Sequence, residues 1–167
     1  MFELALTSTC AAFELTAQKV SSDINYKKII DENWWLISFV GFPQLTLPYL
    51  EFPVIIKEIS LNPRNHRLKE IVTFVLVHTL RNRVLPASVG LSYDGKFNRQ
   101  DGKLLIPNNL IFGLLGYVIF NPVNKDEIIS DNYWFNISSF KMFVSEFWGR
   151  IDLAEHIVIF CREKNLR

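Results

Sequence analysis

The chain has 167 residues, a length that suits one globular domain over 1–167 and can bury roughly 70% of its unfolded surface without a metal or a disulfide framework. Apolar residues make up 49% and charged residues 21%, which excludes a disordered chain. The net charge of +1 selects no partner by itself, and no apolar run reaches the ~18 residues of a membrane span.

In chain order, residues 2–18 read as two short strands. Phe2, Leu4 and Leu6 alternate with Glu3, Ala5 and Thr7, and Phe13, Leu15 and Ala17 alternate with Glu14 and Thr16. A helix over Thr9–Val20 competes, because Ala11, Ala12, Leu15 and Lys19 suit one. Ser21-Ser22-Asp23 marks a break, and Tyr26–Glu32 reads as a short helix or turn. The aromatic and β-branched run Trp34–Phe42, closed by Gly41 and Pro43, reads as a buried strand. On a strand Trp34 and Trp35 would face opposite sides, so one of them would suit a partner surface. Pro43, Pro48 and Pro53 punctuate a loop before a predicted strand at Val54–Leu61.

Asn62-Pro63 resembles a helix start, with Leu68, Ile71, Val72, Val75 and Thr79 following at helical spacing and Pro86 ending the run. Val89–Ile106 reads as a hairpin with turn signals at Asp94-Gly95 and Asp101-Gly102. Leu110–Phe120 is a buried segment in which Gly113 and Gly116 point to close backbone approach, and Lys125–Asn132 is a polar surface loop. Phe140, Phe143, Val144, Phe147 and Trp148 form one apolar stripe of a predicted helix, capped by Ser139 and stopped by Gly149. Asp152-Leu153-Ala154-Glu155 resembles a capping box opening a second helix, whose buried face is Leu153, Ile157, Phe160 and Cys161. Strands first and helices last predict an α+β fold: a mainly antiparallel sheet with one central helix and two C-terminal helices.

Catalytic and cofactor signatures are absent: no G-x-G-x-x-G, P-loop, G-x-S-x-G, H-E-x-x-H or C-x-x-C occurs. Two distant cysteines and three scattered histidines lack the spacing of a zinc site, so no cofactor or metal is expected. Met1-Phe2-Glu3 lacks a basic leader, and with only Cys10 and Cys161 the expected location is the reducing cytoplasm. Cys10 is a formal nucleophile, although nothing local lowers its pKa.

The charge distribution carries more than the total. Between Lys57 and Lys103 there are nine Lys/Arg and four acids, while the remainder holds nine bases and thirteen acids. A basic middle is therefore flanked by acidic arms. On a helix over 63–82, Arg67, Glu70, Phe74, His78 and Arg81 fall near one face, with Lys69 also in the region, Arg64 leading in and Arg83 following; the hairpin adds Lys96, Arg99 and Lys103. Such bases could neutralise phosphates, and Phe74 or Phe97 could stack on an unpaired base. The plainer account is that these are solvated surface charges. The expected function is a non-enzymatic binding or assembly subunit. Its aromatic surface would hold a protein partner or a second copy, and its 57–103 region an acidic partner, nucleic acid included. The alternative is a metal-dependent nuclease: Asp94-Gly95-Lys96 and Asp101-Gly102-Lys103 place an acid two residues before a lysine, with Glu58 or Glu70 as the second acid.

Overall fold

The computed structural model describes residues 2–42, 68–137 and 140–163. It is an α+β fold in which helices dominate. Helices α1 (Phe2–Val20), α2 (Tyr26–Glu32), α3 (Trp34–Gly41) and α4 (Leu68–Asn82) precede strands β1 (Val89–Ser92), β2 (Asn98–Gln100) and β3 (Lys103–Pro107). Helix α5 (Leu110–Phe120) and a 3-10 turn at Pro122–Asn124 follow, then strands β4 (Trp134–Ile137) and β5 (Phe140–Phe143), and helices α6 (Val144–Phe147) and α7 (Ile151–Glu163). The predicted strand at Val54–Leu61 and the helix start at Asn62-Pro63 lie outside the described residues.

The N-terminal segment is one helix, not two strands. Its buried residues Leu6, Thr9, Cys10, Phe13, Thr16 and Ala17 recur at three and four, the helical period, so the alternation of Phe2, Leu4 and Leu6 extends no further than one turn. The run 34–42 is likewise helical over Trp34–Gly41. It is apolar nearly all round because α3 is covered from more than one side, and an apolar run without a period cannot distinguish helix from strand. The same holds for α5, which has no charged residue. These two helices meet at glycines: a Cβ placed on Gly113 would lie 2.7 Å from the Ile37 carbonyl oxygen and 3.1 Å from the Gly41 Cα. The close approach expected from Gly113 is therefore present, with a helix as its partner.

α4 is a helix as its spacing predicts, and it ends at Asn82 with Arg83 in a left-handed conformation (φ 60°) before Pro86 is reached. The small sheet has strand order β1-β3-β2. β2 and β3 form the antiparallel hairpin, with Gln100 opposite Lys103 across Asp101-Gly102. Both turn residues have positive φ, 50° and 77°, as a type I′ turn requires. β1 is not the hairpin's other arm. It runs parallel to β3, Val89 beside Leu104, so the three-stranded sheet is mixed.

The C-terminal stripe divides. Phe140–Phe143 is strand β5, paired antiparallel with β4 so that Trp134 faces Phe143, and only Val144–Phe147 is helical. Pairing with a distant strand overrides the local helical spacing. α7 begins at Ile151, one residue before Asp152, so Asp152 sits in the first turn and is bound by the Arg150 guanidinium (2.9 and 2.7 Å) rather than capping. The buried residues of α7 are Ala154, Val158 and Cys161; Leu153 and Ile157 are half-buried and Phe160 is exposed.

The main core joins Leu6 and Phe13 of α1, Ile37 of α3, Ile71 and Leu76 of α4, Leu104 and Ile106 of β3, and Leu114 of α5. Phe13 and Tyr117 stack with ring centroids 4.3 Å apart, fastening α1 to α5. A second cluster forms around Leu36, Phe120 and Ala154. A polar fastening lies between α1 and the 3-10 turn. Buried Asn124 donates to Thr16 Oγ1 (3.0 Å) and to the Val118 carbonyl (2.9 Å), and accepts from Lys19 Nζ (3.1 Å).

Candidate binding surface

The structure distributes the basic middle over three settings. Arg64 and Arg67 lie outside the described residues. On α4, Lys69 is already engaged: its Nζ reaches Asp31 Oδ1 at 2.6 Å, while Lys27 Nζ holds Asp31 Oδ2 at 2.6 Å. Hydrogen bonds from Lys27 and then Lys69 hold the Asp31 carboxyl below its ordinary range. Lys69 thus ties α4 to α2. Phe74 is half-buried against the main core, and its ring contacts that of the half-buried His78 at 5.8 Å.

The other bases are exposed: Arg81, Arg83, Lys96, Arg99 and Lys103. Topology places two of them, Arg99 and Lys103, at one end of the sheet. Because β1 and β3 are parallel, the start of β1, where Ser88 accepts from the Leu104 N–H (2.8 Å), lies beside the start of β3 and the Asp101-Gly102 turn. The link that brings the chain from α4 to β1 begins at Arg83, two residues beyond Arg81. Arg99 and Lys103 lie on the rim of the sheet at this end and Lys96 at the other, while Arg81 and Arg83 stand where α4 passes into the link. Arg99 pairs across strands with Leu104, and Lys103 with Gln100, so the two side chains leave on opposite faces of the rim.

Edge strand β2 has all three residues exposed, yet it is not open to strand addition along its length. The Leu104 N–H points to β1, so the N–H of its cross-strand neighbour Arg99 points outward, and there the Asn98 Oδ1 accepts it at 2.7 Å. A short edge, an arginine and a satisfied donor all blunt it.

The acids named with these bases serve turns. Asp94 accepts from Ser92 Oγ and from the Lys96 N–H (3.0 Å), and these two bonds hold its carboxyl below the ordinary range. Asp101 occupies the first position of the type I′ turn. Glu58 lies outside the described residues. Among the described residues no three His, Cys, Asp or Glu side chains are grouped to hold a metal ion. The Cys10 thiol is fully buried and desolvation pushes its pKa up to about 12, while burial also raises Cys161; neither is a thiolate at neutral pH.

Sequence reasoning missed a second surface. The β4–β5 hairpin exposes Trp134 (55%), Phe143 (40%) and the preceding Tyr133 (64%). Trp134 and Phe143 are cross-strand partners, and the Lys141 ammonium lies over both rings, 4.4 Å and 5.6 Å from their centroids. The exposed tryptophan expected from the Trp34-Trp35 pair is not found there: the segment is a helix, and Trp34 and Trp35 are both half-buried against the two cores. The signal for the hairpin surface was the aromatic run Tyr133-Trp134-Phe135, which has strand composition next to a turn.

The family described as Rv1289 matches residues 1–167, the whole chain. The chain belongs to the Rv1289 family. Among its Rv1289-family relatives, a Mycobacterium tuberculosis protein of strain H37Rv named "Uncharacterized protein Rv1289" is 22% identical over 169 residues, covering 95% of this chain and 80% of the relative. A Mycobacterium bovis protein named "Uncharacterized protein Mb1320" shows the same identity and coverage. No solved structure matches.

Proposed function

We propose that this Rv1289-family chain is a non-enzymatic binding or assembly subunit. The bases Arg81, Arg83, Arg99 and Lys103 take an acidic partner, with nucleic acid the foremost candidate. The observation that carries this reading is the exposure of these four bases, Arg99 and Lys103 of them at one end of the sheet, with none of the four in a salt bridge among the described residues. Guanidinium and ammonium groups of this kind neutralise phosphates and gain from counterion release. The Tyr133, Trp134 and Phe143 face provides aromatic area of the type enriched where proteins meet. No helix among the described residues is long and apolar enough to cross a membrane. Buried thiols that remain unpaired suit the cytoplasm as the place of action.

The test is incubation of the purified chain with labelled single-stranded and duplex DNA and RNA at low salt, with EDTA or with Mg²⁺. Binding without cleavage in both conditions supports the reading. Cleavage that appears only with Mg²⁺ overturns its non-enzymatic part, and absence of binding to every probe removes nucleic acid from the rim.

A further inference from the structure

Among the described residues two that are not glycine hold a left-handed backbone, Arg83 (φ 60°) and Asp101 (φ 50°). Asp101 has a local reason. It fills the first position of a type I′ turn, which demands positive φ, and aspartate is one of the few residue types that tolerate it. Arg83 has no such reason. It is the first residue past α4 (Leu68–Asn82), the place where a helix is closed and where glycine or asparagine relieves the clash of a Cβ with the following carbonyl. A long side chain at that position is held against the preference of the backbone.

The fold makes no use of that side chain. The turn is closed by main chain, the Arg83 N–H donating to the Thr79 carbonyl at 2.8 Å. The His78 carbonyl, one residue earlier, accepts from the Asn82 side-chain amide at 3.1 Å. The negative end of the α4 dipole already has Arg81 in its last turn. Arg83 is exposed, and its guanidinium has no hydrogen bond or salt bridge among the described residues. Arg81, by contrast, is directed in part at its own chain. Burial and then the hydrogen bond to Glu14 push the Tyr26 hydroxyl up to about 12, and the charge of Arg81 acts against them. A strained backbone that carries a charged side chain with no task inside the fold singles out Arg83 among the four exposed bases.

We propose that Arg83 is the recognition residue of the basic set, its guanidinium taking a phosphate group of a nucleic-acid strand. This rests on the reading of Arg81, Arg83, Arg99 and Lys103 as nucleic-acid contacts, and it adds which of them is held for the ligand at the expense of the fold. A guanidinium offers two parallel N–H donors that match two phosphate oxygens and keeps its charge at any accessible pH.

The test measures melting and binding in parallel on the full chain, on Arg83→Gly and on Arg83→Lys, with a labelled single-stranded DNA oligonucleotide as the probe. Arg83→Gly is expected to melt about 2–4 °C higher, because the left-handed turn loses its strain. It is also expected to bind about tenfold more weakly at low salt, with a salt slope smaller by about 0.7, the share of one phosphate contact on a single strand. Arg83→Lys, which restores the charge, should recover the parent slope. An Arg83→Gly chain that melts lower than the parent, or that binds with the parent's affinity and slope, would overturn the inference. Poly-glutamate that displaces the probe as readily as unlabelled oligonucleotide would overturn phosphate as the group taken. A parent chain that binds no oligonucleotide fails the wider reading and this inference with it, whereas binding by the parent to which Arg83→Gly is indifferent fails this inference alone.

Discussion

Gly41 and Gly113 face each other across the contact of α3 with α5: a Cβ on either residue would stand 3.1 Å from the Cα of the other. The contact lets α3 and α5, both nearly free of polar side chains, lie backbone against backbone at the junction of the two apolar clusters. Gly113→Ala would also bring a methyl to 2.7 Å from the Ile37 carbonyl oxygen, where only backbone can yield. We expect a loss of about 1–3 kcal/mol, as for overpacking in other cores. Urea denaturation checks it, and a midpoint unchanged from the parent chain would show that the helices can separate without cost.

The two thiols should be silent in the folded chain. Cys10 is pushed to about 12 and Cys161 is raised, both by burial, so the neutral thiol is the form the fold favours. The corresponding stability is fully present below the unfolded thiol pKa of ~8.5 and is lost as pH rises toward the folded value. At pH 8 a thiol reagent should therefore label the chain only at the rate of unfolding. Rapid stoichiometric labelling under native conditions would contradict the burial of Cys10.

Trp134 is 55% exposed, whereas Trp34, Trp35 and Trp148 are each half-buried. Acrylamide quenching of the native chain should come mainly from this residue, and Trp134→Phe should remove most of it. The substitution should cost at most about 1 kcal/mol of stability, the scale of an exposed cation–π contact. Quenching that survives Trp134→Phe would place the exposed indole elsewhere.

Legibility in the sequence followed periodicity. The helix from Leu68 and the Asp101-Gly102 turn were readable because their spacing or turn chemistry is local. Gly149, with φ 72° and Lys125 atoms filling the space of a side chain, ends the α6 segment as its position suggested. α1, α3 and β5 were misread for different reasons. α1 opens with an alternation that is an accident of one turn. α3 is apolar on nearly every side. The helical stripe at Phe140–Trp148 yields at its start to pairing with β4. Of the candidate site, residue types were legible and roles were not: the pairing of Lys69 with Asp31 and the turn duties of Asp94 depend on partners that spacing alone does not identify.

Arg81, Arg83, Arg99 and Lys103 are proposed to bind an acidic partner. The most direct measurement is fluorescence anisotropy of a labelled single-stranded oligonucleotide across a salt series, comparing the parent chain with Arg99→Ala/Lys103→Ala. If all four bases contact phosphate, log Kd against log salt should have a slope of magnitude about 3, and the double variant should lose roughly half of it. Both side chains are exposed, so melting should be unchanged. A slope identical in the two proteins, or no binding by the parent chain at low salt, would contradict the claim.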